Sequence, residues 1–266
     1  MNGIEEWQAA VGREASETQI LDPLALQRYA RAVGLDDAGD GVPLPHWAFF
    51  LPCPRDGEIG PDGHPKRGDF LPAITLPRRM FASAAMHFDG PLEMGCEAHL
   101  VSRVASVEQK TGHSGALVFA EVERVLEQGG VARVREKQTY VYRDWGAPVP
   151  LPDIADPLPD GELWEPDTVA LFRFSAATFN GHRIHYDLPY TREVEGYPAL
   201  IVHGPFTAAK LAKMAMREGE LAAFSFRAMA PLFLGQPIAL RRAGDDMFEA
   251  VRADGTVAMQ ARVAFR

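Results

Sequence analysis

The chain is poor in cysteine, in positive charge and in long apolar runs. Its two cysteines, Cys53 and Cys96, stand in no CxxC or Cys/His ligand spacing, so a structural zinc site is not expected and no metal is assigned. A disulfide between them stays open, although nothing else reads as secreted. The formal net charge is −9, which argues against nucleic acid as the main partner, because phosphate backbones want a basic surface. It does not exclude a phosphate-bearing cofactor, which needs only a local basic patch on the protein. No apolar run approaches the ~20 residues that span a bilayer. The start, MNGIEEWQAAVGREASE, lacks the basic and apolar regions of a signal peptide. A cytoplasmic enzyme or binding protein, with neither membrane nor nucleic acid as partner, is the expectation.

What is present is a soluble composition. Of 266 residues, 47% are hydrophobic and 24% charged, enough for one large domain or two small ones with a buried core. The chain also repeats itself. ALQRYARAVG (25–34) lies over ALFRFSAATF (170–179), with Ala, Leu, Arg and an aromatic in matching columns. PLEMGCEAHL (91–100) lies over PLFLGQPIAL (231–240), and GGVARVREKQTYVYR (129–143) resembles DGTVAMQARVAFR (254–266). Three matches in one order read as two copies of one domain. They divide the chain into an N-terminal unit at 1–146, a Pro-rich extended linker at 147–166 and a C-terminal unit at 167–266.

In the second copy, FTAAKLAKMAMREGE (206–220) predicts a helix, apolar nearly all round and therefore buried. Pro205 suits its first turn and Gly219 its end. Lys210 and Lys213 mark its one exposed stripe, and Met214 and Met216 fill core. The runs FSFRAMAPLF, PIALRRAG, DMFEAVRADG and TVAMQARVAF then alternate like strands between turns. A buried helix followed by antiparallel strands predicts α+β, a sheet wrapped on a helix. In the first copy, VPLPHWAFFLP (42–52) is too Pro-rich for a long helix, and its loss predicts an apolar tunnel.

The chemistry-bearing groups crowd into FNGHRIHYD (179–187), with LIVHGPF (200–206) following. These segments resemble the MaoC-like hydratase/dehydratase family. The closer resemblance is to its branch of mitochondrial-type 3-hydroxyacyl-thioester dehydratases and mesaconyl-CoA hydratases. LPRRMFASAAMHFDGPLEMG (76–95), KTGHSGALVF (110–119) and EKQTYVYR (136–143) resemble that branch as well. The resemblance covers nearly the whole chain and is weakest over the loop at 52–75. It implies a double hotdog fold, no metal or redox cofactor, and coenzyme A as part of the substrate. The wider family's D-x-N-P-x-H falls on Asn180, His182, Arg183 and His185, and only His185 is retained. An amide at 180 cannot act as a general base. The closer branch carries FNxHRIHYD itself.

Adding water to a 2-enoyl thioester needs a base near neutral pH, which a histidine supplies. It needs a group that orients water, which a carboxamide can be. It also needs donors at the thioester carbonyl, as at a helix N-terminus. His185, Asn180 and Gly204 are therefore the expected catalytic residues, and His182, Arg183, His203 and Tyr190 the expected substrate contacts. The plainer alternatives are that Asn180 caps a turn, that His203 precedes and caps the helix, and that Asp187 is structural or orients an imidazole. In the first copy, Leu35 and Asp40 fill the columns of Asn180 and His185, so that half is expected to shape the acyl pocket without taking part in catalysis.

Arg78 and Arg79 read as a surface pair. Arg192, Arg241, Arg242 and the two lysines are surface charges or contacts to a coenzyme A phosphate. His64, His87, His99 and His113 form no ligand set, and EVEG (193–196) is a solvated turn. A homodimer is a further expectation. The rival readings are a hotdog acyl-CoA thioesterase and a non-catalytic acyl-thioester-binding module.

Overall fold

The computed structural model describes residues 3–112 and 115–266, and His113 lies outside them. Ten antiparallel strands form one sheet. In chain order they are β1 (Glu14–Ile20), β2 (Arg78–Phe88), β3 (Glu97–Gly112), β4 (Gly115–Gln128), β5 (Val131–Arg143), β6 (Glu162–Trp164), β7 (Leu221–Ala228), β8 (Ile238–Arg242), β9 (Met247–Arg252) and β10 (Val257–Phe265). Their spatial order is β1-β3-β4-β5-β2-β7-β10-β9-β8-β6. Each half runs from an edge strand to the central β2–β7 seam, where Ser83 lies opposite Arg227 and His87 opposite Ala223.

The repeated segments become matching helices, α2 (Pro23–Ala32) and α3 (Thr168–Ala177); α1 (Gly3–Gln8) precedes them. An Asp caps each of the matched pair. Asp22 accepts from Leu24 N at 2.9 Å and Asp167 from Ala170 N at 2.7 Å, satisfying N–H groups that have no partner within the helix. The two helices meet through Tyr29 and Phe174, ring centroids 6.2 Å apart. A short α4 (Leu188–Glu193) and the central α5 (Gly204–Ala215) complete the set.

Helix α5 begins and ends earlier than the sequence suggested. Met216 follows its last residue, and Gly219 lies beyond, packed under the Phe265 ring. Phe206, Ala208, Ala209, Leu211, Ala212 and Ala215 are buried on it, and the alanines let the strands come close. The lysine stripe is half-buried. Lys213 Nζ donates to Gly34 O at 2.6 Å, and Lys210 rests over the Trp164 and Phe206 rings. It faces the other half of the molecule, not open solvent.

The N-terminal half has a 3₁₀ turn, Pro45–Ala48, where α5 has its counterpart. Much of the space beside this turn is taken by aromatic rings. Trp47, Phe49 and Phe50 are buried there, with Trp47 edge-on to Phe81 and Phe226. Beneath them Glu136 accepts from Trp47 Nε1 at 2.9 Å and lies 3.7 Å from His46 and 3.6 Å from Arg124. Burial alone would raise its pKa, but those contacts hold it at about 2. Only about 10 Å³ remains beside His46.

The Pro-rich linker is docked along its length. Val149 N donates to Gly196 O, Ala155 N to Ala253 O, and its end forms β6 against β8. Cys53 and Cys96 are free thiols. No helix among the described residues is long and apolar enough to cross a membrane.

Candidate active site

The segment after α3 folds by local polar contacts. Phe179 takes a left-handed φ of 48°, and His182 N–H donates to Asn180 Oδ1 at 3.0 Å, an Asx turn. Arg183–His185 form a 3₁₀ turn, and Asp187 then caps α4, accepting from Tyr190 N at 3.0 Å. Asp187 therefore serves the helix and Arg183, to which it is bonded at 2.7 Å, and among the described residues no imidazole.

His185 is buried and held by one bond, Nδ1–H to Ile201 O at 2.8 Å. That fixes the tautomer and leaves the Nε2 lone pair free. Its ring stacks on His203 with centroids 3.6 Å apart. His203 stands at the N-cap position of α5 but makes no capping bond. Its Nε2 shares a 2.8 Å hydrogen bond with the Ser175 hydroxyl, and its Nδ1 is buried without a partner. On the other side His182 lies edge-on to His185 at 5.5 Å and against His64 at 4.1 Å. His64 donates from Nδ1 to Asp62 Oδ2 at 3.2 Å.

Four imidazoles therefore form a row from Ser175 to Asp62. Burial pushes His185 down to about 3, although the Ile201 bond opposes this. Burial and the neighbouring rings lower His182 and His203 well below the ordinary range. His64 is lowered by burial in spite of Asp62. Burial would raise Asp62, but the His64 ring and backbone N–H hold it at about 2. All four rings are therefore held in the neutral form, which keeps ring-nitrogen lone pairs available.

His64 corrects the reading of scattered histidines. It comes from the 52–75 loop of the N-terminal half, which is latched onto the FNGHRIHYD segment. Arg183 N donates to Asp62 O at 2.9 Å and Arg183 Nη1 to Pro61 O at 3.0 Å. Gly63 has φ +88°, and a Cβ there would lie 1.9 Å from Gly181 O. Gly63→Ala is expected to push the loop off and to lower the melting temperature by several degrees, with a shift of under one degree as the contrary result.

Gly204 opens α5 next to His203. A Cβ on it would meet nothing nearer than Phe81 O at 3.8 Å, so packing does not require glycine there. Asn180 is half-buried; its oxygen is spent on the turn while its two N–H groups are free among the described contacts. A groove of about 220 Å³ lies between α2 and α3, lined by Arg28, Leu51, Ala177 and Phe179, the last of these next to Asn180 in the chain.

The family model for hydroxyacyl-thioester dehydratase type 2 matches residues 41–234. The chain belongs to that family. It is 40% identical to a mesaconyl-C(4)-CoA hydratase of Chloroflexus aurantiacus over 97% of each chain. HtdX of Mycobacterium tuberculosis superposes with a TM-score of 0.68 at 18% identity, covering 95% of this chain and 99% of its own. Another M. tuberculosis protein, described as having a double hotdog fold, superposes at 0.54 with 12% identity over 95% of each chain. The α+β double hotdog expected from sequence is the fold of this dehydratase-family chain.

Several expected substrate contacts are engaged within the protein. Arg183 is forked onto Asp187 and stacks over Tyr190 at 4.1 Å. Tyr190 is buried, its hydroxyl donating to Glu195 Oε1 at 3.3 Å. Arg192 donates to Pro198 O, Arg241 pairs with Glu249, and Arg242 with Glu218.

Arg78 is not a surface residue, and within EVEG the Glu195 side chain is buried while Glu193 and Val194 are exposed. Arg78 is 4% exposed, and its Nε lies 3.1 Å from Glu195 Oε2. The guanidinium also faces the rings of Tyr197 and Trp145. Burial raises Glu195, with Arg78 opposing.

Asp62, His64 and His182 offer donor atoms within 4.8 Å of one another, a spacing that a cation could bridge. The His64 Nδ1 is already bonded to Asp62, however, and the Arg79 guanidinium acts on all three residues. Sequence reasoning passed over Asp62, His64, Ser175 and Glu195. The one local signal was GPDGHP (60–65), an Asp-Gly-His flanked by prolines.

Proposed function

We propose that the protein is a hydro-lyase that reversibly adds water across the double bond of a 2-enoyl-CoA thioester. The acyl group is mesaconyl-like, or a simpler enoyl chain. The observation that carries this reading is the buried, neutral His185, with its Nε2 lone pair uncommitted, beside the N-terminus of α5. In hydration, Nε2 takes a proton from water as the water oxygen bonds to the β-carbon, and the imidazolium then gives that proton to the α-carbon as the enolate collapses back to the thioester. Asn180 N–H groups orient that water. The Gly204 N–H, helped by the helix dipole, stabilises charge on the thioester oxygen. Its missing side chain lets the thioester come close. His182 and His203 wall the site, and the N-terminal half contributes the far side of the acyl pocket. Coenzyme A enters as part of the substrate, with no further cofactor.

The mesaconyl reading is supported by the 40% identity to the Chloroflexus hydratase along nearly the whole chain. The thioesterase reading is disfavoured because α5, GPFTAAKLAKMA, carries no carboxylate.

The test is to mix the protein with crotonyl-CoA and mesaconyl-CoA and to follow both the conjugated absorbance and free thiol. Loss of absorbance without thiol release is expected. Stoichiometric thiol release would replace the reading with a thioesterase. Tight binding without turnover would replace it with a binding module.

A further inference from the structure

Helices α2 and α3 run antiparallel: Arg28 shares a groove with Ala176 and Ala177, while Arg173 Nη2 donates to Arg31 O at 3.3 Å. Positive charge gathers at the C-terminal end of α2. Lys213 reaches it from α5 and donates to Gly34 O at 2.6 Å, and a Cβ on Gly34 would lie 3.0 Å from Lys210 Nζ. Arg28 and Arg31 are exposed and three residues apart, on one face of α2. None of these cations forms an ion pair among the described residues. The nearby carboxylates are engaged. Asp22 and Asp167 cap the two helices, Asp37 caps a 3₁₀ turn, and Glu162 is forked onto Arg217. Asp36 and Glu165 are exposed and pair with nothing among the described residues. A helix C-terminus presents about half a negative charge. That and two acids leave a positive surplus here, on a chain of net charge −9.

The patch stands one groove away from the histidines. Ser175, which shares a 2.8 Å bond with His203 Nε2, directly precedes the groove-lining Ala176 and Ala177. The Phe174 ring is 5.0 Å from the His203 ring, and Arg173 is the next residue back. On α3, Arg173 is about 9 Å along the chain axis from Phe179, at the groove edge; on α5, Lys210 and Lys213 are about 9 and 13 Å from Gly204. The pantetheine arm of an acyl-CoA has the chain length of about four residues, roughly 13–14 Å extended. It can therefore run from a thioester at Gly204 to phosphates at this patch. The groove wall is made largely of Ala25, Ala48, Leu51, Ala176, Ala177 and Phe179, an apolar lining for the arm's methylene and methyl groups.

We propose that Arg28, Arg31 and Arg173 hold the nucleotide phosphates of the coenzyme A substrate, with the α2–α3 groove carrying the pantetheine arm. This rests on the hydratase reading above and assigns a binding site that the reading leaves open. A guanidinium meets phosphate oxygens in bidentate pairs. Lys210 and Lys213, half-buried behind the arginines, add positive field without leaving their places. The other arginines considered for this role are spent elsewhere: Arg192 on Pro198 O, Arg241 on Glu249 and Arg242 on Glu218. None of the three patch arginines touches the reacting carbons, so they act on binding and are not catalytic residues.

The experiment compares kcat and KM for crotonyl-CoA and for crotonyl-pantetheine, which lacks the nucleotide and its phosphates, in the wild type and in Arg31→Gln/Arg173→Gln. On crotonyl-CoA the double variant is expected to lose about tenfold to a hundredfold in kcat/KM, through KM, as for loss of charge-assisted phosphate contacts. On crotonyl-pantetheine it should stay within about twofold of the wild type, which also shows that it folds. The wild-type KM for crotonyl-CoA should rise with salt, and that of the variant less steeply. Alkylation of Cys53, which lines the groove, should slow in the presence of acetyl-CoA, and that of Cys96 should not. Parallel losses on both thioesters, no loss on either, or equal wild-type kcat/KM for the two would overturn the site, and an unprotected Cys53 would remove the groove from it. If the wild type hydrates neither thioester, the hydratase reading fails by itself. Calorimetric titration of adenosine 3′,5′-bisphosphate into the wild type and the double variant then decides the patch, with equal affinities counting against it.

Discussion

Exchanging His185 for Gln is expected to lower kcat for enoyl-CoA hydration by about 10²- to 10⁴-fold, with KM nearly unchanged. The amide fits the space and can still donate to Ile201 O, but it cannot take a proton from water. A loss below about threefold would remove His185 as the base. The same exchange should change the acid sensitivity of the fold. His185 is held at about 3 when folded, and His64, His182 and His203 are also lowered. Unfolded, each returns to about 6.5. Below that value the unfolded chain binds more protons than the native one, so stability falls as pH falls. For His185 the window runs from about 6.5 down to about 3. Its slope approaches about 1.4 kcal/mol per pH unit. His185→Gln removes that ring's share, and denaturant melts at pH 7 and pH 5 should show a smaller difference than in the wild type.

Glu195→Ala is expected to be the most damaging single change to stability. It leaves the Arg78 guanidinium buried with only the Tyr197 and Trp145 rings beside it. Removing one partner of a buried ion pair costs about 3–5 kcal/mol, because the other charge stays out of water. For a chain of this size that is roughly 6–20 °C in melting temperature. Coupling Glu195→Leu with Arg78→Met should restore much of the loss, since a matched apolar pair leaves no orphan charge. Scanning calorimetry of the single and double variants decides it, and a single-variant loss under about 2 °C would show that water reaches Arg78. Glu195 also receives the Tyr190 hydroxyl and lies 4.0 Å from His182, so activity should fall along with stability.

The elements that carry periodic or repeated patterns were legible in the sequence. The quoted runs after α5 became β7 to β10, because alternation fixes which face each side chain takes. The repeat at 25–34 and 170–179 became α2 and α3. The Pro-rich stretch at 42–52 was recognised as no long helix. Beside that segment Trp47, Phe49 and Phe50 are buried, and a groove of about 220 Å³ lies between α2 and α3, lined in part by Ala48 and Leu51. Gly219 was misread because a glycine near the end of a helical pattern resembles a C-cap; here the chain had already left the helix at Met216.

Local order along the chain also determined the cluster of His182, His185 and His203 at the start of α5. Asn180 and Asp187 build the turns that aim those rings, and both act within a few residues of themselves. The tertiary structure alone decided what the row of imidazoles joins. His64 and Asp62 arrive from a loop more than a hundred residues earlier, and the close passage of Gly63 by Gly181 leaves no trace in spacing or composition. Arg78 and Glu195 look like ordinary surface charges until the sheet and the α4 turn bury them against each other. A charge is judged by what surrounds it, and those surroundings come from distant parts of the chain.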